Sequence, residues 1–196
     1  MRIATLCLLS LFCLLSGLTM ETQAADAVAL APALPSLARD LWISEIRGGA
    51  YLHDPTSPES GSVNLNLEVL SVKPFLPADP VLALLVPRFH LGGSLNTAGK
   101  TSHVYGGLTW TFDITPKLFV EGAFGLAFHN GDTGRTAPVG HAALGCTPLL
   151  REAGSIGYRL DANWTVMATV EHMSNAGLCN ANRGLTNYGL KLGYIF

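Results

Sequence analysis

The last two segments of the chain alternate residue by residue, and this pattern constrains the fold more than any other feature. In 164–175, Val166, Ala168 and Val170 share one face, while Met167, Thr169, Glu171 and Met173 share the other. In 185–196, Tyr188, Leu190, Leu192, Tyr194 and Phe196 oppose Gly189, Lys191 and Gly193. A period of two marks a β-strand, whose successive side chains point to opposite faces. A large-apolar face opposite a small or charged one suits lipid outside and a packed lumen inside. Soluble sandwiches and lipocalin-like barrels also alternate, so they stand as the rival architecture.

Only the leader is apolar enough to compete with that reading. Residues 3–18 (IATLCLLSLFCLLSGL) follow Arg2, and Thr22-Gln23-Ala24 offers small residues for a signal peptidase. A secretory signal over 1–24 is expected, with cleavage after Ala27 or an uncleaved anchor as alternatives. Beyond it, no uncharged apolar run is long enough for a membrane-spanning helix, which needs about 18–20 residues. The remainder breaks into eight stretches, expected as strands at 41–53, 61–73, 81–92, 102–113, 117–128, 143–160, 164–175 and 185–196. Segments 73–79, 113–116 and 160–163 look like short or Pro-stiffened turns. Segments 54–60, 93–101, 129–141 and 176–184 are longer, polar and glycine-rich. Short turns at one end and long loops at the other is the plan of an outer-membrane barrel. The expected organisation is a signal at 1–24, an Ala/Pro-rich periplasmic lead-in at 25–40, and an all-β, eight-stranded antiparallel transmembrane β-barrel at 41–196. A final strand ending on Phe196 resembles the C-terminal signal that delivers such chains to the outer-membrane barrel assembly machinery.

Composition excludes other classes. Charged residues are 13% of the chain and the net charge is −2, so there is no basic footprint for nucleic acid. A hydrophobic fraction of 48% argues against disorder.

The chemistry lies in the tail. The segment His172-Met-Ser174-Asn175-Ala-Gly177 resembles the H-x-S-N-x-G motif of the PagL-type lipid A 3-O-deacylases, also called acyloxyacyl hydrolases. Asn182 and Gly184 stand where that family has a downstream Asn and Gly. The resemblance implies a barrel in the outer membrane of a Gram-negative bacterium. It implies an esterase acting on the 3-O-linked acyl chain of lipid A, with lipopolysaccharide in the outer leaflet as substrate and neither metal nor cofactor. Ser174 would be the nucleophile and His172 the general base. By position in the motif, Asn175 and the Gly177 amide are candidate oxyanion donors. The residues support this independently. An ester hydrolase needs a hydroxyl and a base within reach, and residues i and i+2 of a strand share a face. By parity, that face also carries Val166, Ala168 and Val170, so the pair looks into lipid, where an outer-leaflet substrate would meet it.

One position departs from the family. Its acid, a Glu two residues after the matched Gly, is replaced by Thr186. Threonine can accept a hydrogen bond from imidazole but cannot stabilise imidazolium as a carboxylate does. Replacement acids to consider are Glu121, Asp132, Glu152, Asp161 and Glu171. Glu171 points to the opposite face. If 143–160 and 164–175 form a hairpin centred near Ala162, Glu152 lies beside His172 with the same outward parity. It then either orients His172 or is an interfacial charge near headgroups. The same register sets Cys146 opposite residues 178–179, so Cys146 and Cys179 either form a rim disulfide or remain free thiols; no metal spacing involves them.

His53, His90, His103, His129 and His141 are expected at the rim or in loops. Trp42, Trp110, Tyr158, Trp164, Tyr188 and Tyr194 suit interfacial girdles or barrel packing. Arg151 and Arg183 flank the proposed site as solvated rim charges or as donors to lipid A phosphates. A catalytically inactive outer-membrane barrel with a structural role is the alternative function, and Thr186 is the reason to keep it. A soluble secreted lipid-binding barrel is the third.

Overall fold

Alternation carries through to the structure. The computed structural model describes residues 42–196, so the expected signal (1–24) and lead-in (25–40) lie outside the described residues. Eight strands run in chain order: β1 Ile43–His53, β2 Ser62–Ser71, β3 Arg88–Asn96, β4 His103–Asp113, β5 Leu118–His129, β6 Leu149–Arg159, β7 Trp164–Ser174 and β8 Leu185–Ile195. Each pairs antiparallel with its sequence neighbours, and β1 pairs with β8 from Glu45↔Ile195 to Leu52↔Tyr188, which closes the barrel. Closure leaves no strand edge unpaired.

The side chains are arranged as lipid requires. Leu65, Leu67, Phe89, Leu91, Leu95, Val104, Phe124, Phe128, Ile156 and Leu190 are exposed on the outer wall. The lumen holds the charges. Arg47 binds Glu45, Glu68 and Glu121; Arg88 binds Glu45 and Glu121; Lys191 binds Glu68; and Arg151 binds Glu171. At the end carrying Phe196, Trp164, Tyr194 and Phe196 stack edge to face with centroids 5.0 and 5.4 Å apart, part of an aromatic girdle.

Two expected segments are corrected. The third strand does not begin at 81. Asp79 caps a short helix, α1 (Pro80–Leu85), accepting from the amides of Val81 and Leu82 at 2.8 and 3.1 Å. Asp followed by Pro is a helix start, and it prevails over the apolar run behind it. The β2–β3 connection is therefore long rather than a short turn, and β3 extends to Asn96 into the expected loop. The sixth strand begins at Leu149 rather than 143. Gly145, at φ +86°, breaks the extended run, and a Cβ there would strike the Ala181 carbonyl. Residues 130–148 instead fold over the barrel mouth, where Ala142 and Leu144 pack with Tyr105, Leu149, Met173 and Leu185.

The histidines are also corrected. His90 and His103 point into the lumen and are buried, beside the Tyr105 ring. Arg151 belongs there too. Its odd position on β6 faces inward, where it pairs with Glu171 and lies 3.7 Å over the Tyr105 ring, so it is neither a rim charge nor placed for phosphate.

Candidate active site

Three strands converge at the loop-rich end of the barrel. On β7, even-numbered residues face outward, and His172 and Ser174 close that row, each half-buried. The β6–β7 register pairs Glu152 with His172, and the β7–β8 register pairs His172 with Thr186. The imidazole is thus flanked by Glu152 on one strand and Thr186 on the other. It bonds the second: Nδ1 lies 2.8 Å from Thr186 Oγ1. Glu152 is exposed, and no hydrogen bond joins it to His172 among the described residues. The hydroxyl standing at the family's acid position therefore holds the ring.

That contact occupies Nδ1, and Nε2 makes no hydrogen bond among the described residues. Space beside Nε2 comes from Gly184. A Cβ there would stand 3.1 Å from His172 Cε1 and 3.5 Å from Nε2.

The loop after Ser174 is tightly tied. Asn175 is buried, and its Nδ2 donates to the carbonyls of Leu144 and Ala181 at 2.7 and 2.6 Å. Its Oδ1 accepts from the Gly177 amide at 2.9 Å, and its own amide donates to Asn182 Oδ1 at 3.0 Å. The two expected oxyanion donors, Asn175 Nδ2 and the Gly177 amide, are thus engaged within the loop. Cys146 and Cys179 form a disulfide, with Cα atoms 6.1 Å apart, that binds this loop to the one crossing the mouth. Arg183, in the same loop, donates to the Thr56 carbonyl at 2.9 Å.

The other acids considered for the site lie elsewhere. Glu121 and Glu171 are bound to arginines in the lumen. Asp161 sits in the β6–β7 turn at the far end, accepting from the amides of Asn163 and Trp164. Asp132 bridges Ala143 in the long loop. The carboxylate that does reach the site was not among them. Asp54 Oδ1 accepts from the Thr186 amide at 3.2 Å. These residues are 132 positions apart, and no local spacing in the sequence signals the contact.

Beside the site, an outward groove of about 440 Å³ is lined by Ala50, Leu52, Val63, Tyr188 and Leu190. Tyr188 pairs with Val170, two residues before His172, so the groove lies next to the outward row of β7.

Comparisons with known proteins bear on the family and the fold. The family model described as lipid A 3-O-deacylase (PagL) matches residues 86–195. A search of curated proteins finds no match. Among solved structures, the crystal structure of the outer membrane enzyme PagL is similar, with a TM-score of 0.60 and 16% identity, covering 78% of this chain and 100% of that one. The N-terminal β-barrel domain of Pseudomonas aeruginosa OprF aligns with a TM-score of 0.52 at 13% identity over 79% and 98% of the two chains. A de novo designed transmembrane β-barrel aligns with a TM-score of 0.51 at 11% identity over 79% and 96%. At these identities the structural likeness speaks for the fold.

A closed eight-stranded barrel with an apolar outer wall and an ionic lumen is an outer-membrane β-barrel protein. The matched span takes in every strand from β3 to β8 together with the His172–Gly184 segment. The chain belongs to the lipid A 3-O-deacylase (PagL) family.

Proposed function

We propose that this protein is an outer-membrane esterase that removes the 3-O-linked acyl chain of lipid A, with Ser174 as nucleophile and His172 as general base. The observation that carries the reading is the placement of His172 and Ser174 on one outward face at the end of β7, with the imidazole Nδ1 held by Thr186. Ser174 Oγ attacks the ester carbonyl as His172 Nε2 takes its proton. Collapse of the tetrahedral intermediate expels the sugar 3-hydroxyl, which receives that proton. Water, activated by the same imidazole, then releases the fatty acid from Ser174. The apolar groove below the site offers room for an acyl chain, while the sugar remains at the level of the loops. Glu152, opposite His172 and exposed, serves as an interfacial charge or as an acid orienting His172; Glu152→Gln separates these, since only the orienting role lowers activity. For Asn175 and Gly177 to meet the oxyanion, substrate must displace the loop bonds that now occupy their N–H groups.

The test is a mass spectrum of lipid A from cells producing wild-type protein or Ser174→Ala. Loss of one 3-hydroxyacyl chain with wild type alone is expected. Unchanged lipid A from cells in which the wild-type barrel is inserted would overturn the reading in favour of a catalytically inactive barrel.

A further inference from the structure

We infer that Asp54 is the positioning carboxylate of this site, acting on His172 through Thr186. The inference rests on the Ser174–His172 reading above.

A hydroxyl at Nδ1 orients the imidazole whichever of the two atoms donates. It does nothing to balance the positive charge that the ring acquires when it takes the serine proton, a task for a neighbouring carboxylate in Ser–His–acid sites. Asp54 brings a carboxylate to the same threonine from the other side. It directly follows β1 and is only 2% exposed. Its φ is +32°, in the left-handed region that Asp and Asn enter more readily than most residues. Its amide donates to Asn187 Oδ1 at 3.0 Å, which fixes the backbone against β8. Its Oδ1 accepts from the Thr186 amide at 3.2 Å, while Thr186 Oγ1 holds His172. Two hydrogen bonds, meeting at one residue, thus join the carboxylate to the imidazole.

Oδ2 makes the arrangement expensive. It is buried with no hydrogen-bond partner among the described residues. A half-bonded buried carboxylate is costly to folding, and such groups in native structures commonly serve a function. A charge in a site of low dielectric is felt across several ångströms, which suits action at one remove. Glu152 stands opposite the imidazole on β6, exposed, and Asp54 lies beyond Thr186, while Arg183 is turned to the Thr56 carbonyl.

Asp54→Asn is the decisive variant, because it keeps an acceptor for the Thr186 amide and tolerates the positive φ while removing the charge. On purified barrel in detergent with lipid A, kcat should fall at least about tenfold with KM little changed, short of the ~10⁴ seen when a directly bonded triad acid is neutralised. The acid limb of the pH–rate profile should move to lower pH, because imidazolium loses its stabilising charge. An Asp54→Asn enzyme with the wild-type kcat and profile overturns the proposal. A rate that falls only in proportion to the folded, heat-modifiable fraction, with the profile unmoved, also overturns it. Thr186→Glu supplies the carboxylate directly, so adding Asp54→Asn to it should have little further effect; an equal loss in both backgrounds would show a purely structural role. Should wild-type protein release no acyl chain, the deacylase reading fails by itself. The His172 ring titration followed by NMR, assigned by its absence in His172→Gln, still decides for Asp54: a lowered imidazole pKa in Asp54→Asn supports it and an unmoved one refutes it.

Discussion

Gly184 is needed twice over, for its backbone and for its missing side chain. Its φ of +66° lies in the left-handed region, where a Cβ costs about 1–2 kcal/mol. That same Cβ would stand 3.1 Å from both His172 Cε1 and the Met173 carbonyl. Gly184→Ala should therefore push the ring away from Ser174. Deacylation of lipid A should fall at least about tenfold, since small misplacements of catalytic groups carry large rate penalties. Heat-modifiable migration should show the barrel still folded. At this scale the sequence was readable wherever chemistry follows chain order. His172, Ser174 and Thr186 share one face because parity is arithmetic, and the β6–β7 register that sets Glu152 opposite His172 follows from the position of one turn. Asp54 was not readable, because its contact with Thr186 depends on β1 closing against β8.

Among the elements, the long loops are the parts whose conformation strand patterning says least about. They are latched through Glu59, a buried residue of the β1–β2 loop. Its carboxylate accepts from the Thr101 amide and hydroxyl and from the Ala142 amide, each at 2.9 Å, and lies 2.8 Å from His53 Nε2. Burial pushes the Glu59 carboxyl up, but the bonds from His53, Ala142 and Thr101 together outweigh it and hold the group at about 2, against an ordinary 4.5. A depressed folded value means that the latch contributes its full stability above about pH 4.5 and loses it as pH falls toward 2. Hydrogen exchange at the Thr101 and Ala142 amides should be slow and insensitive to this group at pH 5–7. Protection should weaken progressively below about pH 4.5, and Glu59→Gln should show weakened protection already at neutral pH. Unchanged protection in that variant would remove Glu59 as the latch. The Cys146–Cys179 disulfide, by contrast, was legible as one of two outcomes, because extending the hairpin register of Glu152 and His172 beyond the strand ends brings the two cysteines close, although both lie in loops. The misread elements, α1 and the start of β6, share one cause. Apolar content suggested strand at both, while Asp79-Pro80 and Gly145 set the backbone locally.

For the whole molecule, the outer wall was written in the alternation of apolar residues, whereas the lumen pairing was not. Parity assigns Lys191 and Glu171 to the inside but does not say what they meet. Lys191 binds Glu68 from 123 positions away, and Arg47 binds Glu121 from 74. Among the described residues Arg47, Arg88, Arg151 and Lys191 face Glu45, Glu68, Glu121 and Glu171 inside the barrel, so these charges balance. Balance matters here because water is largely excluded and an unpaired buried ion carries a desolvation penalty of several kcal/mol. Glu121 joins two of these cations. It accepts from Arg47 at 2.7 and 2.9 Å, from Arg88 at 2.9 Å and from Thr111 at 2.6 Å. Glu121→Gln leaves four cations against three anions and weakens the bonds to both arginines. Removing one partner of a buried pair commonly costs about 3–5 kcal/mol, so the urea midpoint for unfolding of the barrel in detergent should fall markedly. Glu121 pairs across β5–β6 with Ser155, whereas Glu152, the partner of His172, lies opposite Phe124 nearer the loops. Deacylation per folded molecule should therefore be unchanged. Equal losses of stability and specific activity would mean that the lumen network supports the site as well as the wall; a loss of stability alone would confine its role to holding the cylinder closed.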